Sequence, residues 1–403
     1  MLCLNRSVAG RGKYEFSGKR KRRGGIIGWL LVLAFLGFVG WLWWKERGVS
    51  VLKPAPRPQT PAQTSVPFVA TGAPPLVVQQ IPPAPQPTVP TATQTGATQT
   101  TRGPMPQPLA AVIAPGTFPR PVRDVLETQV ALARDAVSSG SIDGVLGGQT
   151  RAALLAYQKK HGLPRTGALD SDTRAALVLA SPPLTTYVVT ELDLARLQPL
   201  SSTWLGKSQQ SSLEFETVLE LVAEKGHASP NCIRRLNPAV DWANVTAGTE
   251  VTIPDVEYPP VSQKASFVVI RLSDKTLQAF DGETNLLAHF PCSIAARVEK
   301  RPVGELRVEV IAPNPNYTFN PEIFPESTEG RELGRKLVLP PGPNNPVGVA
   351  WIGLDKSGYG IHGTPGPEQV GRTESHGCFR LANWNAAHLI KLVWTGMPVY
   401  VEP

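Results

Sequence analysis

At 403 residues and 43.4 kDa the chain has room for two or three domains. Its 41 prolines, 36 glycines and only 18% charged residues exclude one compact globule, because some long stretch cannot bury enough apolar surface to offset its ordering entropy. The net charge of +8 does not imply a nucleic-acid partner: residues 1–25 hold eight Lys or Arg against Glu15, a balance of +7, so residues 26–403 carry only +1 and no basic stripe of the kind that tracks phosphates.

The basic tail (1–25) abuts IIGWLLVLAFLGFVGWLWW, residues 26–44, nineteen residues without a charge. At ~1.5 Å rise per residue this run spans about 28 Å, close to the hydrocarbon core of a bilayer, and predicts a membrane-spanning helix. Trp29 at one end and Trp41, Trp43 and Trp44 at the other suit the two interfaces, and the positive-inside rule puts the tail in the cytoplasm. No small-residue cleavage site follows, so an anchor is expected rather than a removed signal peptide. Residues 45–120 are rich in Pro, Thr and Gln and read as an extended, disordered tether.

Structure resumes at 121–181. Val122, Val125, Leu126, Val130 and Ala133 recur at helical spacing. A second helix is expected from about Gln149 to His161, with Gly162 just past its end, and a third short one capped by Asp170 or Ser171. Ile142, Asp143, Gly144, Gly147, Thr150, Arg151, Ala152, Ala153, Tyr157, Gln158, Gly162, Leu163 and Gly167 give this segment its resemblance to the three-helix peptidoglycan-binding module found beside cell-wall hydrolases and transpeptidases. Packing and turn geometry explain most of these glycines and alanines without any ligand, so wall binding is what the resemblance implies and no ligand contact is assigned.

Residues 184–258 combine a strand signal at 186–190, helical spacing at 213–227 and a second strand signal in AGTEVTIP. The order strand, helix, helix, strand resembles a LysM module, a small glycan-binding fold, and the long stretch between Thr190 and Leu213 departs from it. A plain packing domain is the equal alternative. Cys232 and Cys292 would face an oxidising compartment, where they either bond or remain two separate buried thiols.

From 265 to 403 short alternating runs dominate, SFVVIRL, TLQAFDG, LLAHFPCSIA, ELRVEVIA, VAWIGL, YGIHGT and PVYVEP, with one helix expected at Asn383–Trp394 and Asn383 as its cap. The fold expected for the whole chain is multidomain α+β: a small three-helix module, a LysM-like α+β segment and a mostly β, sandwich-like C-terminal domain.

That last domain holds IHGTPGPEQVGRTESHGCFRL, residues 361–381. His376 and Cys378 stand at i and i+2, which face one way on an extended chain, and a loop with Gly363, Pro365, Gly366, Pro367 and Gly371 can bring His362 back to them. A free thiol is only a few per cent thiolate near neutrality, so an imidazole is needed to take its proton and later return it to a leaving amine. The amides of Gly377 and Cys378 are candidate oxyanion donors. Two histidines and a cysteine fall short of the four ligands a structural zinc site wants, and no metal or other cofactor is expected. The HExxH and papain-like signatures are absent, and the lone SVLK at 50–53 has no SDN or KTG companion. His161, His227, His289 and His388 have no partner set and read as ordinary turn, surface or core residues.

The HG at 362–363, the SHGCFRL at 375–381 and the preceding LPPGPNNPVGVAWIGL at 339–354 resemble the L,D-transpeptidase (YkuD) catalytic domain. The resemblance implies Cys378 as nucleophile and His362 as proton acceptor and donor. It makes Gly363 the residue whose backbone orients that histidine, places His376 and Gly377 beside the nucleophile, and sets Arg380 and Ser375 at the substrate, Arg380 serving equally well in a structural ion pair. It further implies a cysteine transpeptidase of the bacterial inner membrane, its C-terminal domains in the periplasm, acting on peptidoglycan stem peptides to form 3→3 crosslinks or to attach a lipoprotein. An L,D-carboxypeptidase on the same site and a non-catalytic wall-binding scaffold are the alternatives.

Overall fold

A computed structural model describes residues 117–403 apart from 325, 374 and 376. The basic tail, the expected membrane helix at 26–44 and nearly all of the tether lie outside the described residues, as does His376. Among the described residues no helix is long and apolar enough to cross a membrane.

The N-terminal module is framed by β1 (Arg120–Pro121) and β2 (Val178–Leu179), which pair antiparallel, and holds α1 (Val125–Arg134), α2 (Gly148–Lys160) and α3 (Ser171–Ala176). Asp124 caps α1 and Asp170 caps α3, each carboxylate accepting from a backbone N–H three residues on. Two buried glutamines fix the turns. Gln129 accepts from the amides of Asp143 and Gly144 while donating to Asp143 and Thr150. Gln158 accepts from the Gly167 amide and donates to Thr166, Ala168 O and Thr173. A buried amide with every hydrogen-bonding group engaged specifies one loop conformation, which gives Asp143, Gly144, Gln158 and Gly167 a structural role.

The second segment runs β3 (Leu184–Val188), α4 (Glu191–Arg196), α5 (Trp204–Gln209), α6 (Val218–Lys225), α7 (Pro230–Leu236) and β4 (Glu250–Pro254). β3 and β4 pair antiparallel from Leu184↔Pro254 to Val188↔Glu250. The stretch Thr190–Leu213 is not loop: it contributes α4 and α5. Cys232 on α7 and Cys292 are both free and buried, in different core clusters.

The C-terminal domain adds β5 (Phe267–Arg271), β6 (Thr276–Phe280), β7 (Leu286–Pro291), β8 (Gly304–Pro313), β9 (Tyr317–Phe319), α8 (Thr328–Leu333), β10 (Leu337–Leu339), β11 (Ala350–Leu354), β12 (Gly360–His362), β13 (Phe379–Arg380), α9 (Asn383–Leu392) and β14 (Pro398–Glu402). Eight of these strands form one sheet in the order β13-β12-β11-β8-β14-β5-β6-β7. The first part of β8 pairs with β14 and the second part with β11. The chain after β7 then returns to the opposite edge: Ser293 and Arg380 exchange two backbone hydrogen bonds of 2.9 and 3.0 Å. The mostly β expectation holds, but the sandwich form is corrected. One sheet curls until its ends meet, and Val268, Ile270, Phe290, Ile352, Ile361 and Phe379 fill its interior together with Leu389 of α9.

The N-terminal module does not hang free of this sheet. Ser138 N–H donates to His289 O at 2.8 Å and His289 N–H to Ala136 O at 2.9 Å, so the module covers the β7 edge. One apolar cluster joins Leu126, Val130 and Leu154 of the module, Leu221 and Ile233 of the second segment, and Val269 and Phe280 on the outer face of the sheet.

Candidate active site

Strand alternation builds the site. β12 and β13 run parallel with Ile361 opposite Phe379 and His362 opposite Arg380. Ile361 and Phe379 point into the core, so His362 and Arg380 lie on the other face. Cys378, two residues before Arg380, shares that parity. Trp351 of β11 stands opposite His362 and stacks on it with ring centroids 5.7 Å apart. The indole has room because Gly360 lacks a side chain: a Cβ there would sit 2.5 Å from the Trp351 ring.

The hydrogen bonds settle the histidine's tautomer. His362 Nδ1 lies 2.6 Å from Gly363 O, a group that only accepts, so Nδ1 carries the proton and Nε2 presents a lone pair. Burial pushes the His362 pKa down to about 4; the bond to Gly363 pulls it partly back, and the Arg380 charge depresses it further. The imidazole is therefore neutral above about pH 5. Burial also raises the Cys378 thiol above its ordinary value, opposed by a backbone hydrogen bond from Gly360 and the charge of Arg380. Its Sγ lies 3.5 Å from Gly358 O. At neutral pH the two groups are a thiol and an imidazole, not a preformed ion pair.

Ser375 lies behind Cys378: its hydroxyl donates to Cys378 O at 2.5 Å and accepts from Gly377 N–H at 3.3 Å, bracing the turn. Arg380 reaches Thr373 Oγ1 at 3.4 Å, and burial lowers its pKa, opposed by Cys292 and Cys378. The structure thus gathers His362, Cys378 and Arg380 on one face, with Gly363 joined to His362. It puts Ser375 and Gly377 in the supporting turn.

Asn383 departs from its expected part. Ala382 is the residue that caps α9, without a side-chain bond, and the helix ends at Leu392. The Asn383 side chain, 1% exposed, instead accepts from the amides of Val349 (3.3 Å) and Thr364 (3.0 Å) and donates to Pro343 O (3.1 Å). It clamps the 343–349 loop to the residue after Gly363. A Cβ on Gly348 or Gly363 would fall 1.9 or 2.3 Å from its oxygen, so both positions require glycine.

Sequence reasoning missed Trp351, Asn383's clamp and Tyr317. Strand alternation in VAWIGL could have exposed the first, since buried Ile352 and Leu354 turn Trp351 to the other face. Burial, with a smaller contribution from the charge of Cys378, pushes the Tyr317 hydroxyl on β9 up to about 12. β9 and β10 form a two-stranded flap. The insertion at 190–213 supports it: Trp204 of α5 stacks on Phe319 with centroids 4.4 Å apart, and Glu329 accepts from the amides of Trp204 and Leu205, both at 2.8 Å.

Residues 265–401 match the family profile of YkuD, the L,D-transpeptidase catalytic domain, and residues 122–177 match that of PG_binding_1, described as "Putative peptidoglycan binding domain". The chain carries an L,D-transpeptidase catalytic domain and a peptidoglycan-binding domain. Residues 184–258 lie outside both matches. "Putative L,D-transpeptidase YkuD" of Bacillus licheniformis is 24% identical over 46% of this chain and 93% of its own length. "Putative L,D-transpeptidase YqjB" of Bacillus subtilis is 35% identical over 25% of this chain and 51% of its own. Among solved structures, an L,D-transpeptidase from Mycobacterium smegmatis aligns with a TM-score of 0.27 and 20% identity, over 39% of this chain and 64% of that one. Peptidoglycan is the partner that the two matched domains support, and the transpeptidase domain is the part that modifies it.

Proposed function

We propose that the chain is a membrane-anchored, cysteine-dependent peptidoglycan L,D-transpeptidase that forms 3→3 crosslinks, or attaches a lipoprotein to the wall, on the outer side of the bacterial inner membrane. The observation that carries the reading is a thiol and a neutral imidazole on one face of β12 and β13, with the imidazole's free nitrogen fixed by Gly363, inside a matched transpeptidase domain.

Chemistry follows from the protonation states. Cys378 Sγ attacks the carbonyl carbon of the third stem residue as His362 Nε2 takes the thiol proton. The oxyanion is met by backbone amides of the turn, Gly377 exchanging its long contact with Ser375 for it. Collapse breaks the C–N bond, His362 returns the proton to the departing D-alanine amine, and a thioester remains. An acceptor amine then attacks, His362 takes its proton, and the sulfur leaves and is reprotonated. Neutral partners suit this order, because proton and sulfur move only once a carbonyl is present to receive the electrons.

The test is muropeptide mapping after incubating disaccharide-tetrapeptide with the full chain and with Cys378→Ser. Wild type is expected to give 3→3 dimers and free D-alanine, and the variant neither. Tripeptide without dimer would mark water as the acceptor, and an unchanged profile with wild type would contradict the reading.

A further inference from the structure

Opposite the nucleophile end, the sheet's outer face carries a second polar constellation. β5, β6 and β7 align Arg271 with Thr276, and Val269 with Gln278 and His289, in rows on one face. α2 packs over the apolar part of that face, where Lys159 Nζ lies 5.9 Å from the Phe280 ring centroid. Beside it a cleft of about 510 Å³ remains open, with Arg271, Gln278 and His289 as floor and Arg151, Lys159 and Arg165 along its rim. Four cations face one acid, Asp274. Arg271 is engaged by Glu402 at 3.1 Å, whereas neither Arg151 nor Arg165 has an ion-pair partner among the described residues.

The floor ends in an unfilled donor. Arg271 donates to Gln278 Oε1 at 2.6 Å, which fixes that amide, so Gln278 Nε2 donates to His289 Nδ1 at 3.0 Å. The neutral ring must then carry its proton on Nε2. That N–H, on a residue 2% exposed that lines the cleft, has no hydrogen-bond partner among the described residues. A buried donor left open beneath a ring of cations is arranged for an anionic oxygen. An adjoining hollow of about 370 Å³ shares Gly148, Ala152, Asp274 and Thr276 with this cleft and ends at Gly371 and Arg372, on the segment leading to Cys378.

We propose that the cleft between α2 and strands β5–β7 is a recognition site for the carboxylates of peptidoglycan stem peptides, holding a neighbouring strand of wall beside the catalytic domain through Arg151, Arg165 and the His289 N–H. This deepens, and rests on, the reading of peptidoglycan as substrate. Neutral glycan hydroxyls do not account for so one-sided a charge, and the hollow's course toward Arg372 favours a ligand continuous with the substrate.

The experiment is sedimentation of the full chain with purified sacculi, all proteins carrying Cys378→Ser so that binding is read without turnover and apart from the transfer reaction. The Arg151→Glu/Arg165→Glu variant changes two exposed side chains, and thermal unfolding checks that it folds. The expected result is binding weakened about tenfold or more by the double reversal, with an equal loss for the unreversed protein on sacculi whose carboxylates are converted to amides by carbodiimide and methylamine, and no further loss when the two are combined. Binding should also fall with salt. Undiminished binding by the variant on native sacculi, or by the unreversed protein on amidated sacculi, overturns the proposal. So does a loss seen only after hydrofluoric acid strips phosphate polymers from the sacculi, which would assign the cleft to phosphate instead.

Discussion

The two ends of the curled sheet treat polar side chains in opposite ways. At β12 and β13, burial removes charge: His362 is held neutral and Cys378 protonated, and the nearby cation, Arg380, is itself half-buried. At β5–β7, the buried polar side chains are Thr276, Gln278 and His289, while Arg151, Lys159 and Arg165 remain exposed around them. One scaffold thus holds a dry end, where proton transfer is set by geometry, and a wet cationic end suited to holding an anion. The same strand alternation serves both, and the depth of cover decides which chemistry results.

The dry end breaks most sharply on its base. His362→Asn should lower kcat by about 10²- to 10⁴-fold with the fold retained, measured as D-alanine release; a loss below about tenfold would mean that another group takes the proton. Alkylation of Cys378 by iodoacetamide should read the thiol's charge state directly. Because burial raises its pKa above the ordinary thiol value, the thiolate fraction keeps growing through the neutral range, so the rate should still be climbing from pH 7 to 9. A rate already level from pH 5 would reveal a resting thiolate–imidazolium pair. In turnover, His362 near 4 places the acid limb at about pH 4, since only the neutral ring accepts a proton.

Smaller effects probe how the dry end is held. Asn383→Ala leaves the amides of Val349 and Thr364 without their acceptor and should cost about 2 to 3 kcal/mol in urea unfolding, with activity reduced because Gly363 loses its clamp. Trp204→Ala removes the stack on Phe319 and should cost about 2 kcal/mol. Its further expected effect is a several-fold higher KM, as the flap bearing Tyr317 loosens. Unchanged KM would show that the insertion at 190–213 does not govern access.

How much of this was legible in the sequence follows the range of the contacts. His362, Gly363 and Cys378 lie within seventeen consecutive residues, and their spacing carried the family resemblance. Helix positions in the N-terminal module were legible for the same reason, since caps and apolar spacing act over three or four residues. Asn383 was read as a cap because a polar residue opens a helix. Its actual partners sit 34 and 19 residues upstream, and nothing local distinguishes the two roles. The insertion looked like a defect in a LysM-like pattern, yet Trp204 and Glu329 meet across 125 residues. The cationic cleft was hidden for a related reason: net charge after residue 25 is only +1, and its cations come from α2, a following loop and β5. The sheet's closure through Ser293 and Arg380, which turns an expected sandwich into a curl, is likewise a pairing between distant segments.

Whether Cys378 carries the acyl group is read by intact-protein mass spectrometry of the full chain, quenched in acid after brief exposure to a stem tetrapeptide. A mass gain equal to the tripeptide acyl group is expected, mapped to Cys378, absent from Cys378→Ser and discharged on adding an amine acceptor. Turnover by wild type with no covalent species at Cys378, or an adduct mapped to another residue, would contradict it.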